Sequence, residues 1–495
     1  MLNTYKQIRI YLGVNNKMKF LLIHVGDKDK RQKQLTFPSS PPLGLLYLGA
    51  ILEQEGYKVE ILDDYTGNIS KEQLKKSLHS SDVVGISIYT YAYKPTKNIS
   101  KMVKELDPDI PLLIGGPHCI FHQKQSLADF PDADISVVGE GEYMILDLAE
   151  YLQGKKNLAE INGIFYRDNG SIRSGKPLQV IKDLDDIPFP ARHLVDKYEY
   201  GELPFGYHMK NMTTMITSRG CPFKCRFCSR YDNIISGFRF RQRSADNILQ
   251  EFEEISDKYS SISIVDDNFL VDIKRAHRIF DELIKMGKDI ELGIHGVRVD
   301  TADIGLYKKM KKAGVKYVYF GLESGNQDVL DFYNKRTTLP QIRNAVKLSR
   351  KMNFITMGSF ILGAPMETRE HIENTIKFAC SLPLDFAGFG PLRYIKGSQL
   401  WNEAVKNNKI PKDTDEIFFF ADSEHDLGNF TKKELMDFTL DAFQRFYYRP
   451  TYMVSQVFRN LLRNDYSLLY SGLKLLFSMK KEMNIFKKNY PPIEQ

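Results

Sequence analysis

The segment Ser218-Arg219-Gly220-Cys221-Pro222-Phe223-Lys224-Cys225-Arg226-Phe227-Cys228 places three thiols at C-x3-C-x2-C spacing. Three thiolates on one tight loop can each bind an iron of a [4Fe–4S] cluster. A structural zinc site ordinarily takes a fourth ligand at short spacing, and no further Cys or His lies close by. In the cluster reading one iron keeps no protein ligand. An open iron is what a cluster needs to hold and reduce a small molecule. Cys221, Cys225 and Cys228 are therefore the expected metal ligands. Cys119 and Cys380 lie far from this loop in apolar or mixed surroundings and read as small buried hydrophobes. A second cluster would need about three more thiolates.

The loop needs a scaffold, and the pattern around it supplies one. It follows a strand-like run, Met215-Ile216-Thr217. Five more such runs follow, at Ile262 to Val265, Ile290 to Ile294, Tyr317 to Phe320, Ser359 to Leu362 and Phe386 to Phe389, with helical stretches between them. In the first of those stretches Ile248, Leu249, Phe252, Ile255 and Tyr259 recur on one helical face. Six β/α repeats over 212–401 predict a partial (β/α)6 barrel, whose active site gathers at the carboxyl ends of the strands.

Upstream, 18–151 alternates β-rich runs (Phe20 to Ile23, Val59 to Leu62, Val83 to Ile88, Leu112 to Ile114, Ile135 to Val138) with helical segments. That alternation predicts an α/β, doubly wound parallel sheet. Ser87, Gly115-Gly116 and Gly139-Glu140-Gly141 stand at strand ends, where such sheets hold ligands. The Pro- and Gly-rich stretch 152–211 reads as a linker, apart from hairpin strands near Gly163 to Arg167 that would extend the first sheet. Residues 402–495 read as a mostly helical region. Met18 directly precedes the first strand, so residues 1–17 read as an extension or an upstream start.

A chain of 495 residues suggests about three folding units. Hydrophobic residues at 42% and charged residues at 26% exclude a disordered chain. There is no apolar run of spanning length and no secretory leader pattern. Five cysteines, three of them clustered, do not form a secreted disulfide framework, and a cytoplasmic, reducing setting is expected.

The cysteine loop resembles the signature of the radical SAM superfamily, and the resemblance spans the whole second unit. It implies that the open iron binds the amino and carboxylate groups of S-adenosylmethionine (SAM), whose reductive cleavage releases a 5′-deoxyadenosyl radical that abstracts hydrogen. Phe227 matches the adenine-contacting position. Arg298, in Val297-Arg298-Val299-Asp300, resembles the partner of the SAM carboxylate, which a guanidinium fork suits. Glu323 and Ser324, in Phe320-Gly321-Leu322-Glu323-Ser324-Gly325, resemble the ribose- and methionine-contacting segment. Phe360 to Pro365 resembles the motif beside the adenine. Where the family often has Gly-Gly-Glu, this chain has Asp266-Asp267-Asn268; Asp266 is the weaker candidate for the SAM amino group and could equally cap a helix.

The first unit resembles the cobalamin-binding domain of one large subgroup of that superfamily. The matching segments are Pro41 to Leu48 with Gly44, Gly85 to Ser87, Gly115 to His118, and Val138 to Glu142 with Gly139, Glu140 and Gly141. A flat corrin needs glycine-rich strand ends that let backbone approach its edge. D-x-H-x-x-G is absent, so no axial histidine is expected; His24 and His118 are the nearby alternatives. The resemblance implies three cofactors: a [4Fe–4S] cluster, SAM and cobalamin. It further implies methylation of an unactivated carbon through methylcobalamin, with cobalamin-dependent cyclisation or rearrangement as the alternative. A non-catalytic corrinoid sensor or carrier is the alternative from another class. No side chain is singled out as catalytic.

The expected partners are a small-molecule or lipid substrate and an electron donor such as flavodoxin or ferredoxin, and no nucleic acid. The net charge of +7 is uneven, since Phe443 to Gln495 carries nine Lys/Arg against three Asp/Glu. That basic, aromatic-rich tail suits peripheral contact with an anionic membrane, or else a packed cap with a solvated basic face.

Overall fold

The computed structural model describes residues 17–26, 39–67, 69–201, 209–414 and 416–463. The chain divides into two compact units, one reaching Tyr200 and the other running on from Gly201. Residues 1–16 and 464–495 lie outside the described residues, and with them the expected N-terminal extension and most of the basic tail.

In the first unit the elements run β1 (Lys19–His24), α1 (Leu43–Gln54), β2 (Lys58–Asp63), α2 (Lys71–His79), β3 (Val83–Ser87), α3 (Tyr93–Leu106), β4 (Leu112–Gly115), α4 (Pro117–His122), α5 (Lys124–Asp129), β5 (Ile135–Val137), α6 (Gly141–Leu152), β6 (Ile164–Asp168) and β7 (Ser171–Ser174). The sheet order is β2-β1-β3-β4-β5-β6-β7. The first five strands are parallel, and β6 and β7 are antiparallel. In β1 only Lys19 escapes burial, as a strand covered on both faces requires. The order reverses between β1 and β3, so their carboxyl ends, His24 and Ser87, flank the crevice where such sheets bind ligands.

Residues 152–200, expected to be mainly linker, fold with this unit. The β6–β7 hairpin extends the sheet, and two tyrosines reach back to Asp63. The Asp63 amide donates to Tyr198 Oη at 3.0 Å, and Tyr200 Oη donates to Asp63 Oδ2 at 2.7 Å.

In the second unit β8 (Met212–Met215) is followed by the ribbon of β9 (Ser218–Arg219) and β10 (Arg241–Gln242). Then come α7 (Ala245–Ser256), β11 (Ser261–Ile264), α8 (Ile273–Met286), β12 (Glu291–Val297), α9 (Ile304–Lys312), β13 (Val315–Glu323), α10 (Gln327–Phe332), α11 (Leu339–Lys351), β14 (Ile355–Leu362), α12 (Arg369–Ser381) and β15 (Phe386–Pro391). All six main strands are parallel, in the order β15-β14-β13-β12-β11-β8: an open, partial (β/α)6 barrel. Ser244 Oγ caps α7 by accepting from the Asn247 amide at 3.1 Å, and the expected apolar face (Ile248, Leu249, Phe252, Ile255) is buried. The first strand ends at Met215, earlier than the run Met215-Ile216-Thr217 suggested. Thr217 turns its amide and hydroxyl to the Asp266 carboxylate instead of a neighbouring strand.

The region after Trp401 is not a third unit but part of the second. It adds β16 (Arg393–Ile395), α13 (Gln399–Lys406), β17 (Phe418–Phe420), α14 (Lys432–Tyr447) and α15 (Pro450–Arg463). The last two helices hold the edge strand β15 and the turn that leads into it. Tyr447 Oη accepts from the Ala387 amide at 3.1 Å and donates to the Ala387 carbonyl at 3.0 Å. Tyr452 Oη donates to the Asp385 carbonyl at 2.6 Å, and Gln456 and Arg459 donate to the Leu384 and Pro383 carbonyls. The Asp385 carboxylate pairs with Arg459 at 2.6 Å and Arg463 at 3.0 Å, all three side chains being buried.

Candidate functional site

The cysteine loop leaves the carboxyl end of β8 and is latched at its root. Asp266, at the end of β11, accepts from the Thr217 amide (2.6 Å), Thr217 Oγ1 (2.5 Å) and Ser218 Oγ (2.6 Å). Burial pushes its carboxyl pKa up, against those three bonds. Asp266 is thus spent on holding the loop. Gly220, at φ +81, then turns the chain in a conformation that a side chain strains.

The loop's other contacts come from the turn that follows α10 and from α13. The Arg226 amide donates to the Tyr333 carbonyl at 3.0 Å and the Leu400 amide to the Arg226 carbonyl at 3.1 Å. Asn334 Nδ2 donates to the Lys224 carbonyl at 2.8 Å. Cys221 and Cys225 are half-buried and Cys228 is exposed. Although the residue is exposed, the protein around its sulfur displaces enough solvent to raise the Cys228 thiol, and Asp267 and the other two loop thiols add to it. Cys221 is raised too, by burial first. Crowded thiols of which Cys221 and Cys228 resist ionisation are a poor local arrangement unless a cation binds them, because the thiolate is the ligand. The donor set fits a cluster held by three cysteines; the described residues add no fourth cysteine.

Four charged side chains surround this loop. Asp267 stands on the exposed side of this turn, and the loss of solvation beside the loop and then Asp266 raise its pKa. A Cβ on Gly296 would lie 2.4 Å from the Asp267 carbonyl, so glycine there lets β12 pass this turn. Arg298, at the end of β12, is buried and forks onto Asp300 (3.0 and 2.8 Å). It also donates to the Lys335 carbonyl at 2.8 Å and stacks over the Phe223 ring at 3.7 Å. Its Nη1 makes no hydrogen bond to a described residue. Glu323, at the end of β13, holds φ +63 and accepts from Lys335 Nζ at 2.7 Å. A Cβ on Gly321 would sit 2.4 Å from Glu323 Oε1 and 3.0 Å from Lys335 Nζ. Burial opposes the charge on Lys335, but Glu323 and the neighbouring Cys225 hold its ammonium above the ordinary value.

The structure therefore brings Cys221, Cys225, Cys228, Arg298 and Glu323 to one end of the barrel. Phe227 joins them, packing at 5.0 Å edge-on to Tyr333 and against the cluster that holds Ala364 and Ile361. Ser324 lies beside Glu323, but its Oγ accepts from the Asn326 amide at 3.1 Å and meets Thr375 Oγ1 at 3.2 Å. Three residues escaped the sequence reading. Asp267 was passed over for Asp266. Lys335 lies in a bend with positive φ at Asn334 and Arg336, for which Asn334 was the one sequence hint. Glu367 is fully buried and accepts from the Gly363 and Ala364 amides, both at 2.6 Å; burial pushes its carboxyl to about 7.

In the first unit the expected ligand edge splits in two. A Cβ on Gly44 would meet nothing within 4 Å, and on Gly115 nothing closer than 3.6 Å. Ser87 stands between His24 and Gly115 in register. Gly44, in the first turn of α1, and Gly115, at the end of β4, therefore have open space where a side chain would stand. Gly116 (φ +92) has no space, since a Cβ would lie 2.8 Å from Ser87 Oγ. Gly139 (φ +126) meets Leu178 at 2.4 Å and Gly141 meets Leu48 at 3.2 Å. Glu140 accepts from the Ile181 amide at 3.0 Å. The small size of those glycines serves the protein's own packing. His24 Nδ1 meets Asp63 Oδ1 at 3.0 Å. Burial works against the Asp63 carboxylate, but its bonds with His24, Tyr200 and the Tyr65 amide bring its pKa below the ordinary value. His118 is buried and stacked on His122 with ring centres 4.2 Å apart. Cys119 is buried, which pushes its thiol to about 11.

Comparisons with known proteins agree with this division. Residues 215–379 match the model of the Radical SAM superfamily, and residues 38–149 match the B12 binding domain. An uncharacterized methyltransferase of Pyrococcus horikoshii is 32% identical over 90% of this chain and 95% of its own length. An anaerobic magnesium-protoporphyrin IX monomethyl ester cyclase of Rubrivivax gelatinosus is 27% identical over 83% of this chain and 75% of its own. Among solved structures, the radical S-adenosylmethionine methyltransferase TsrM of Kitasatospora setae, with cobalamin and a [4Fe–4S] cluster bound, superposes with a TM-score of 0.64. It shares 19% identity over 81% of this chain and 78% of its own.

Proposed function

We infer the chemistry from membership: this chain belongs to the radical SAM superfamily, among the enzymes that carry a B12-binding domain ahead of the radical core. It is a cobalamin-dependent radical SAM enzyme, and its reaction is methyl transfer to an unactivated carbon of a small-molecule or lipid substrate. The observation that carries this reading is the three-cysteine loop ringed by Arg298, Lys335, Glu323 and Asp267, in one chain with a doubly wound sheet that has open space at Gly115, at a strand end, and at Gly44, in the first turn of α1. When bound, the cluster with SAM supplies a hydrogen-abstracting radical, and cobalamin supplies a transferable methyl group.

The chain's own residues then divide the work. Cys221, Cys225 and Cys228 hold the cluster. Arg298 Nη1 and Lys335 offer donors to the SAM carboxylate, and Asp267 offers an acceptor to its ammonium. Phe227, Ile361 and Ala364 give the adenine an apolar wall, with Glu367 bracing the turn behind it. Glu323 fixes Lys335 in place and is the candidate for ribose contact; Ser324 supports the turn beside it. Ser87, Gly44 and Gly115 border the corrin. A one-electron donor of flavodoxin or ferredoxin type suits the exposed flank of the loop at Cys228.

The name of the Pyrococcus horikoshii relative supports methyl transfer, and the Rubrivivax gelatinosus relative supports ring closure as the alternative. Anaerobic turnover with cobalamin, a one-electron donor and SAM carrying a deuterated methyl group, offered cell metabolite and lipid extracts, separates them. A product that gains the labelled methyl is expected. A product that only loses hydrogens would replace this reading with cyclisation.

The C-terminal region supports peripheral contact with an anionic membrane. Part of it is a packed cap: Phe443 is buried, Arg445 pairs with Glu373, and Arg459 and Arg463 pair with Asp385. On α15, however, Val454, Val457, Phe458, Leu461 and Leu462 are exposed. Their spacing sets them on one helical face, directly before a segment holding Lys474, Lys480, Lys481, Lys487 and Lys488, which lie outside the described residues. No helix among the described residues is long and apolar enough to cross a membrane. Vesicle binding should weaken with salt and fall strongly when Lys480, Lys481, Lys487 and Lys488 become Gln, since each basic side chain near such a surface contributes about 1 kcal/mol. Equal binding by parent and variant in a co-sedimentation assay would leave α15 as a cap alone.

A further inference from the structure

We propose that His118, His122 and Asp129 form a binding site for a divalent transition metal of the zinc type, separate from the cysteine loop. The two histidines stand four residues apart in α4, so one helical turn sets them on the same face. Gln123, at φ +46, reverses the chain between α4 and α5 and returns Asp129 to that face. A non-glycine residue in this conformation is held there by its surroundings. The three side chains offer donor atoms that all lie within 4.8 Å of one another. His118 Nε2 is 4.0 Å from Asp129 Oδ2, and the imidazoles stack with an interplanar angle of 17°.

Both imidazoles are buried, in a box closed by Tyr93 at 5.2 Å and Phe130 at 6.1 Å from the His118 ring. Stacked rings this close cannot both be imidazolium ions without repelling, and Asp129, whose Oδ1 accepts from Gln125 Nε2 at 2.9 Å, turns its other oxygen toward His118 in a place largely withdrawn from water. A dication answers both conditions. It uses the lone pairs of two neutral imidazoles and neutralises Asp129. Two nitrogens and one carboxylate suit zinc, with a fourth position left for water. Bonds of about 2.0–2.1 Å would set the donors roughly 3.3 Å apart in a tetrahedral site, which modest side-chain rotations reach. The site would tie α4, which starts directly after the Gly115-Gly116 turn, to α5. That places a metal clamp behind the edge assigned above to the corrin, but the inference does not depend on that assignment.

The test uses the full chain with its cluster reconstituted and cobalamin loaded, so that the loop thiols are already engaged. The protein is incubated with zinc, passed through a desalting column and challenged with a chromophoric chelator. The parent should retain a single zinc ion per chain, and its zinc K-edge spectrum should show nitrogen and oxygen ligands with imidazole scattering and no sulfur. The double change His118→Gln and His122→Gln should abolish retention, and Asp129→Asn should weaken it by about tenfold or more. No retained zinc in the parent, zinc bound through sulfur, or undiminished zinc in the double variant would each overturn the proposal. Should the double variant fail to fold, the parent's absorption spectrum decides alone.

Discussion

Replacing Cys221, Cys225 and Cys228 together with Ala should leave the anaerobically reconstituted chain with far less than the roughly four irons of the parent. The three thiols are the only cysteines near one another among the described residues; Cys119 is buried in the other unit, and Cys380 sits on α12. No other thiol can take over. The fold should survive the change, because the loop's root is held by Asp266 and its flank by Tyr333, Asn334 and Leu400, none of which touches a cysteine sulfur. Cobalamin loading should be unchanged, since the residues that would border the corrin lie in the first unit and the three cysteines in the second. Iron and sulfide assays check this. A variant that still holds about four irons would end the three-cysteine reading.

Asp385→Ala should cost about 3–5 kcal/mol, the range expected when one partner of a buried ion pair is removed. Asp385 accepts from the Thr356 amide at 2.8 Å and from two guanidinium groups. Its removal strands both of them out of water. Burial already pulls Arg459 down to about 10, with Asp385 holding it up, so the loss should fall first on α15. Hydrogen exchange should show α15 losing protection while β11 and β12 keep theirs. The triple change Asp385→Leu, Arg459→Met and Arg463→Met should recover most of the stability, because the cost lies in the unpaired charges and not in the missing contact. A single-variant loss below about 1 kcal/mol in urea unfolding would show that water reaches these arginines and that the pairing is a surface one.

What the sequence made legible was local. Cys221, Cys225 and Cys228 declare their chemistry through spacing within one loop. The strands of both sheets declare themselves through apolar runs, as in β1 and β11. The rest depends on partners far along the chain. Residues 152–200 have a linker's composition, yet Tyr198 and Tyr200 belong to the first unit because their hydroxyls meet Asp63, more than a hundred residues upstream. The end of β8 was misplaced because Asp266, from the next strand, captures Thr217. Glycine was ambiguous for a physical reason. Missing side chains make room for a ligand at Gly44, but at Gly116 and Gly139 they make room for Ser87 and Leu178. Lys335 was illegible because its meaning lies in Glu323 and Cys225, which only the fold brings near.

The hydrogen bonds that α14 sends to β15, and α15 to the turn before it, have a consequence for how the protein is made. An unpaired strand edge is a template for association with another chain. Here the Tyr447 hydroxyl takes the outward amide and carbonyl of Ala387 in β15, and Tyr452, Gln456 and Arg459 hold the turn that leads into it. They are also the last described part of the chain to be synthesised. At ~5–20 residues per second, the roughly seventy residues between Pro391 and Arg463 leave the edge bare for about 4–15 s on every ribosome. During that interval, two nascent chains on one messenger can pair through β15 before either can protect itself. Truncation before α14 should therefore raise the chain's tendency to associate, which light scattering of the truncated and full-length chains would read.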